Sequence, residues 1–145
     1  MSKIENFLTT SQEQEIIQAI ATAEKNTSGE VRVHIEKETS LESLDRALEV
    51  FYLLEMDKTA MRNGVLFYIA VESRKFAILG DKGINDKVSD TFWDEEKELL
   101  LSYFKQGNFT QGLVETIHAA GQKLKEFFPY QEDDKDELSN EISKG

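Results

Sequence analysis

The sequence contains no cysteine, and this absence excludes several kinds of site at once. A disulfide framework, a thiolate zinc site and a cysteine nucleophile all depend on that residue. Basic residues are also few, because 17 lysines and arginines stand against 28 aspartates and glutamates, for a formal net charge of -11. Nucleic-acid binding rests on Lys and Arg that neutralise phosphates, so this balance argues against a nucleic-acid partner.

Long hydrophobic runs are missing as well. The longest, Val65–Val71, has seven residues, whereas a helix that spans a bilayer needs about 20. The first residues, Met1–Asn6, lack the apolar core of a signal peptide. We therefore expect a soluble, cytoplasmic protein with no membrane insertion.

The remaining composition is that of a single folded domain. A chain of 145 residues with 39% apolar and 10% aromatic residues can bury a substantial core. We expect an N-terminal extension over residues 1–10, one domain over residues 11–128 and an acidic, flexible C-terminal tail over residues 129–145. We also expect a monomer.

Hydrophobic spacing predicts four helices and three strands. The alternation in Glu30–Glu36 indicates a strand with one face toward water, whereas the run Val65–Val71 is typical of a strand buried on both faces. Lys75–Leu79 follows after a short turn, which predicts an antiparallel hairpin. The predicted helices extend from a cap at Ser11 to Asn26, from a cap at Ser40 to Asp57, from Asp86 to Tyr103 and from Thr110 to Phe128.

The regularly spaced apolar side chains of the helices are expected to face the core. In the second helix they are Leu41, Leu44, Leu48, Phe51 and Leu54. In the third helix they are Phe92, Trp93, Leu99, Leu100 and Tyr103. We interpret the aromatic members of this stripe as core packing rather than as a ligand platform.

The order of the predicted elements brings distant residues together. A strand, a helix and a second strand in succession form a parallel crossover, and the hairpin adds an antiparallel strand. We therefore expect an α/β fold with a small mixed sheet, in which the first two strands begin, and the third ends, at the same edge. The polar residues expected at this edge are Glu30, Asp57, Arg62, Asn63, Asp81, Asn85, Asp86 and Asp90.

Carboxylates gathered at one edge of a sheet indicate a metal site, because a hard divalent cation relieves their mutual repulsion. Glu30, Asp81 and Asp90 are the predicted ligands, with Asp86 and Asp57 as further candidates. Simpler explanations stand beside this one. The helix dipole favours an acid at Asp86, and a turn at a helix end accounts for Asp57.

The loop between the third strand and the third helix suggests a second kind of ligand. Backbone N–H groups at the start of a helix can face an anion. The residues of this predicted anion or ligand loop are Gly80, Lys82, Gly83, Arg62 and Asn63. Arg62 is most simply interpreted as a counter-ion for the acidic cluster.

Six short motifs lie in order along the chain and are distinctive as a set. They are Thr27-Ser28-Gly29-Glu30-Val31, Arg62-Asn63-Gly64-Val65-Leu66, Arg74-Lys75, Gly80-Asp81-Lys82-Gly83-Ile84, Asp90 and Phe104–Leu113. From Ser11 to Phe128 the chain resembles the TPM domain family on these motifs. The resemblance implies a Rossmann-like α/β/α sandwich, binding of a divalent cation (calcium, or alternatively magnesium) and an acid phosphatase activity.

The chain also departs from the pattern of that family. Asp81 and Asn85 stand where glycine and glutamate are usual, and Asn108 stands where Asp is common. These changes keep oxygen ligands but alter the charge of the predicted site, so they bear on which cation binds and how tightly.

Metal-assisted hydrolysis of phosphate esters is the first alternative to simple cation binding. It would use the same three metal ligands, with Lys82 or Arg62 binding the phosphate. Of the two histidines, His34 is interpreted as a half-exposed strand residue and His118 as a helix residue between core and surface. Neither histidine is expected at the sheet edge where the acidic residues gather. A strongly acidic surface also attracts phosphate anions poorly.

A protein-interaction module is the second alternative. Its surface would be the acidic tail or the opposite edge of the sheet, around Glu36–Glu38 and Ser73-Arg74. Open α/β sheets usually bind ligands outside the carboxyl ends of parallel strands, which is this opposite edge. We nevertheless favour cation binding, because the acids and glycines cluster at the other end.

Overall fold

The computed structural model describes residues 7–130 and 142–144. The predicted N-terminal extension and acidic tail therefore lie largely outside the described residues. The helices are α1 (Thr10–Glu24), α2 (Ser43–Leu53), α3 (Lys82–Asn85), α4 (Phe92–Lys105) and α5 (Phe109–Phe127), with a 3-10 turn at Met56–Lys58. The strands are β1 (Glu30–Glu36), β2 (Gly64–Ala70), β3 (Lys75–Gly80) and β4 (Ser143–Lys144).

The strands form one mixed sheet in the order β3-β2-β1-β4. β1 runs parallel to β2, with Glu30 opposite Gly64, and β2 runs antiparallel to β3, with Val65 opposite Gly80. The predicted crossover and hairpin are therefore both confirmed. β4 pairs with β1 in parallel at His34 and Ile35, and the sequence pattern did not predict this strand.

Helices cover both faces of the sheet, as expected for an α/β/α sandwich. The side chains of Val31, Val33 and Phe67 lie in one core cluster with buried residues of α1, α4 and α5. The alternate side chains of β2, Leu66 and Tyr68, lie in a second cluster with buried residues of α2. Every residue of β2 is buried, which confirms the prediction from its unbroken apolar run. The exposed face predicted for β1 is wrong, because Glu30, His34 and Glu36 on its polar face are buried too.

Two predicted helix caps are wrong. α1 is capped by Thr9, whose hydroxyl accepts a hydrogen bond from the Gln12 backbone N–H at 3.1 Å. The Gln12 side chain in turn accepts one from the Thr9 backbone N–H at 2.9 Å, which completes a capping box. α2 begins after Glu42 rather than at Ser40, and Glu42 makes no side-chain cap bond.

The helix predicted from Asp86 to Tyr103 begins six residues later than predicted, at Phe92, and ends at Lys105. α3 ends at Asn85 and α4 begins at Phe92, and the segment between them contains Ser89 and Asp90, which are weak helix formers. Trp93 is only half-buried, and its indole N–H donates to the Asn85 side-chain oxygen at 2.7 Å. Trp93 packs against the core, as predicted, while the polar edge of its indole bridges the turn between α3 and α4.

Several leucines predicted to be buried are on the surface. Leu41, Leu44 and Leu48 are exposed, whereas Phe51 is buried. Leu99 of α4 is exposed as well. A helix that packs on a sheet buries only one stripe, and in α2 that stripe is carried by Ala47, Val50 and Phe51. No helix in the described part of the chain is both long enough and apolar enough to cross a membrane.

Candidate functional site

The edge where β1 and β2 begin and β3 ends brings together polar residues that are far apart in sequence. Glu30 lies opposite Gly64 in the parallel ladder, and the backbone N–H of Asp81 donates to the Gly64 carbonyl at 2.9 Å. Glu30, Asn63 and Asp81 are 2%, 1% and 6% exposed. Two carboxyl groups and one amide are thus buried at this edge, which we call the acidic edge.

Arg62 neutralises Asp81. Its guanidinium donates two hydrogen bonds to the two carboxylate oxygens of Asp81, at 2.7 and 2.8 Å. The hydrogen bonds to Asp81, reinforced by its charge, raise the pKa of Arg62 further above its already high ordinary value. One of the same oxygens accepts the backbone N–H of Lys82 at 2.7 Å and caps α3. Both oxygens of Asp81 are therefore already engaged.

The glycine loop is shaped by a close backbone approach. The N–H of Gly83 donates to the Arg62 carbonyl at 2.7 Å, and a Cβ atom on Gly83 would lie 2.2 Å from the Met61 carbonyl oxygen. The first N–H groups of the loop, on Asp81, Lys82 and Gly83, all donate within the protein. Only the Gly83 N–H contacts Arg62, and the three groups have separate acceptors instead of pointing together at an anion.

Asn63 and Gly80 fix the two sides of the same edge. The Asn63 amide donates to the Ser28 hydroxyl at 3.3 Å, which ties β2 to the loop before β1. The Gly80 carbonyl accepts the Asn85 side-chain amide at 2.8 Å, and a Cβ atom on Gly80 would lie 2.7 Å from the Trp93 ring. The polar groups of the predicted loop residues are therefore bonded to neighbouring groups of the protein.

The remaining predicted carboxylates are less closely gathered. Asp86 is exposed and forms an ion pair with Lys82 at 2.8 Å. Asp57 lies in the 3-10 turn, near enough to raise the pKa of Arg62, and Asp90 is exposed in the turn before α4. Within residues 7–130 and 142–144, no three His, Cys, Asp or Glu side chains form a group that could hold a metal ion.

The side-chain oxygens of the acidic edge are of the type that binds a hard cation, but those of Asp81 are already bonded to Arg62. Two carboxylates and an amide offer the oxygen ligands that calcium prefers. Asp81, however, is held by Arg62, so a cation has to compete with the guanidinium for that carboxylate. Arg62 keeps 46% of its side chain exposed, which leaves it room to move into solvent.

A second polar cluster lies at the opposite end of β1, and sequence reasoning missed it. Glu36 accepts two hydrogen bonds from Arg46, at 2.8 and 2.9 Å, one from the Tyr68 hydroxyl and one from His34. Burial by itself would raise the pKa of Glu36, but these hydrogen bonds outweigh it and lower the pKa to about 2. Glu36 is therefore a buried, ionised carboxylate with its partners in place.

His34 belongs to this cluster and is buried, so its interpretation as a half-exposed residue is wrong. Burial lowers its pKa, against the opposing effect of its contact with Glu36. Its second ring nitrogen lies 3.0 Å from the hydroxyl of Ser143, on β4. His34 and Glu36 alternate on the polar face of β1, and this alternation is the signal that the sequence offered. His118 lies between core and surface on α5, as predicted.

Glu96 is a fourth buried acid, on the inward face of α4. One of its carboxylate oxygens has no hydrogen-bond partner in the described part of the structure. Burial, with a smaller contribution from the charge of Glu95, raises the pKa of Glu96 to about 7. Its spacing with Phe92 and Leu100, four residues to either side, places it on the buried stripe of the helix.

Comparison with known proteins gives one family and several similar structures. The model of the TPM domain matches residues 2–123. The NMR structure of BA42 from the psychrophilic bacterium Bizionia argentinensis is 57% identical over 100% of both chains, with a TM-score of 0.89. No curated protein matches the chain.

Two more distant structures share the fold. The N-terminal domain of a P. gingivalis protein is 18% identical, with a TM-score of 0.68 over 86% of this chain and 82% of that one. The N-terminal domain of cg2496 from Corynebacterium glutamicum is 13% identical, with a TM-score of 0.63 over 81% of this chain and 74% of that one. These two likenesses concern the fold alone.

Proposed function

The chain belongs to the TPM domain family, and on that basis we propose that it binds one divalent cation, calcium in the first instance, at the acidic edge. Glu30 and Asp81 supply carboxylate oxygens and Asn63 an amide oxygen. The single observation that carries the proposal is the burial of these three side chains at one edge of the sheet. Buried carboxylates without a cation are costly unless they are paired.

Arg62 occupies the place of the cation in the proposed resting state. A guanidinium that binds both oxygens of a carboxylate neutralises it in the absence of metal. When calcium binds, the guanidinium leaves Asp81 and turns to solvent, where much of it already lies. Because the two cations compete, calcium binding is expected to be weaker than in a site with free carboxylates.

Calcium is proposed ahead of magnesium because of the shape of the donor set. Calcium accepts about six to eight oxygens in flexible geometry, whereas magnesium demands a nearly octahedral shell. The acidic edge draws its oxygens from two strand ends and a loop, and water completes the coordination. Such a mixed set fits the more tolerant ion.

Two variants test the proposal from opposite directions. Arg62→Gln removes the competing charge, so we expect calcium to bind several-fold more tightly than in the wild type. Asp81→Asn replaces a charged carboxylate ligand with a neutral amide, so we expect binding to weaken by about tenfold or more. The measurement is isothermal titration calorimetry of chelator-treated protein with calcium chloride, then with magnesium chloride.

Matched controls separate the site from general charge effects. Lys58→Gln removes an exposed cation that pairs with Glu55, and Asp94→Asn removes an acid from the first turn of α4. Both change the net charge by the same amount as the test variants, and neither should alter the affinity. If Arg62→Gln and Lys58→Gln behave alike, or if the wild type takes up no calcium, the acidic edge is not a cation site.

Hydrolysis of phosphate esters is not advanced as a second function. The two cations predicted to bind phosphate, Lys82 and Arg62, are both paired with carboxylates. The N–H groups of the glycine loop are directed within the protein. Phosphatase activity therefore stays a prediction from the resemblance, to be tested only once cation binding is established.

A further inference from the structure

A cavity of about 480 Å³ lies at the opposite edge of the sheet from the acidic edge. Residues 69–71, at the carboxyl end of β2, form one wall, and Phe104 of α4 and Phe109 of α5 form another. Small-molecule sites commonly measure about 300–1,000 Å³, and open α/β sheets bind ligands beyond the carboxyl ends of their strands. The cavity meets both expectations of size and position.

Aromatic rings give this cavity a preformed apolar wall. The rings of Phe7 and Phe109 meet edge to face at 4.5 Å, those of Phe104 and Phe109 stack at 4.7 Å, and Phe76 meets Phe104 at 5.0 Å. Each ring is held by another, so the wall needs no rearrangement to receive an apolar group.

Two cations lie at the rim of the cavity. Arg74 is exposed in the β2–β3 turn, with φ at 54°, and Lys105 is exposed at the end of α4. Within the described part of the chain, neither forms an ion pair with an acid. Lys75 also lines the cavity, but its ammonium group donates to the carbonyls of Thr39 and Leu41.

The described lining of this cavity is positively charged, whereas the whole chain is negatively charged. No aspartate or glutamate is among the described residues that line it, although acids outnumber bases by 28 to 17 in the sequence. Three other clefts each include a glutamate: Glu15 lines two of them, and Glu38 and Glu49 line the third. An anion therefore meets less repulsion here than in those clefts.

We propose that this cavity binds a small amphipathic anion, with an apolar body against the phenylalanine wall and a carboxylate between Arg74 and Lys105. The apolar body accounts for the aromatic lining, and the single acidic group accounts for two cations at the rim that pair with no acid among the described residues. This site is separate from the acidic edge, so the proposal does not depend on whether the acidic edge binds a cation.

The test uses octanoate as the probe and octanamide as its uncharged counterpart. Octanoate added to ¹⁵N-labelled protein should give saturable shifts in the amides of residues 69–76 and 101–109. Lys105→Gln should weaken octanoate by about two- to fivefold, the effect of one exposed ion pair, and should leave octanamide unchanged. Lys97→Gln, an exposed lysine on the same helix, is the control and should change neither.

A pair of leucines on α4 tests the apolar part of the site. Leu101 lines the cavity and is 39% exposed, whereas Leu99 does not line it and is 40% exposed. Leu101→Gln should weaken octanoate and octanamide alike, and Leu99→Gln should weaken neither. Equal effects of the two leucine variants, equal affinities for the two probes, or shifts scattered over the surface would each overturn the proposal.

Discussion

Asp81 performs three tasks at the scale of a single residue. Its carboxylate caps α3 and binds Arg62 through both oxygens. Its backbone N–H donates to the Gly64 carbonyl and so extends the pairing of β2 with β3. The sequence predicted Asp81 as a metal ligand and Arg62 as a counter-ion for the acidic cluster as a whole. Their direct pairing could not be predicted, because it depends on Gly83 allowing a close approach to the backbone of Arg62.

Glu36 illustrates how hydrogen bonds can outweigh burial. Its pKa of about 2 lies below the ordinary value of 4.5, so the folded protein binds the proton less tightly than the unfolded chain. The contribution of Glu36 to the free energy of unfolding is therefore complete above pH 4.5 and is lost as the pH falls toward 2. Its cluster with Arg46, Tyr68 and His34 stabilises the carboxyl end of β1.

Glu96 has the opposite linkage and gives a pH-dependence prediction. Its pKa of about 7 lies above 4.5, so the folded state holds the proton more tightly. Stability should therefore fall as the pH rises from 4.5 to 7, by up to about 3 kcal/mol from this group. Glu96→Gln should remove that fall and raise stability at pH 8 by roughly 1–3 kcal/mol, measured by urea unfolding across this range.

Glu98→Gln is the control for this prediction. Glu98 is a nearby acid on α4, and it is exposed. Its variant should lose stability with rising pH much as the wild type does. If Glu96→Gln also loses stability in parallel with the wild type between pH 4.5 and 7, the carboxyl group of Glu96 is not titrating in that range.

At the scale of elements, the sequence predicted the strands whose hydrophobic pattern repeats over several residues. The alternation in Glu30–Glu36 and the apolar run in β2 each repeat one signal over seven residues, so these strands were predicted almost to the residue. The cap of α1 was predicted at Ser11 instead of Thr9, because Ser11 and Gln14 have the same spacing as the observed pair, Thr9 and Gln12. β4 has only two residues, too few for any periodicity.

α2 shows why apolar spacing alone does not identify a core. Its buried stripe consists of Ala47, Val50 and Phe51, yet Leu44, Leu48 and Tyr52 are exposed on another face at intervals of four residues. Both stripes satisfy helical periodicity. The structure distinguishes them because β2 and β3 pack on only one side of the helix.

The two faces of α2 should differ sharply in what they contribute to stability. Phe51→Ala empties part of the core, so we expect a loss of about 3–5 kcal/mol. Leu48→Gln changes a side chain that is 46% exposed, so we expect a change within about 0.5 kcal/mol. Thermal and urea unfolding of the two variants measure the difference. A loss from Leu48→Gln that approaches that from Phe51→Ala would mean that the outer face is covered in solution.

At the scale of the whole molecule, topology decides which parts of the site could be predicted. A parallel pair followed by a hairpin must bring Glu30, Gly64 and Asp81 to one edge, and that meeting was predicted from element order. Asp86 and Asp90 follow β3 in sequence, but the turn between α3 and α4 leaves them on the surface. Their placement depends on where a helix breaks, which element order does not determine.

The central claim is that the acidic edge binds a divalent cation, and a backbone NMR titration tests it most directly. Calcium is added to chelator-treated, ¹⁵N-labelled wild-type protein, and every amide is followed. We predict saturable shifts confined to the neighbourhoods of Glu30, Asn63 and Asp81, with magnesium binding more weakly. Shifts only among residues 132–141, or gradual shifts spread over the surface without saturation, would contradict the claim.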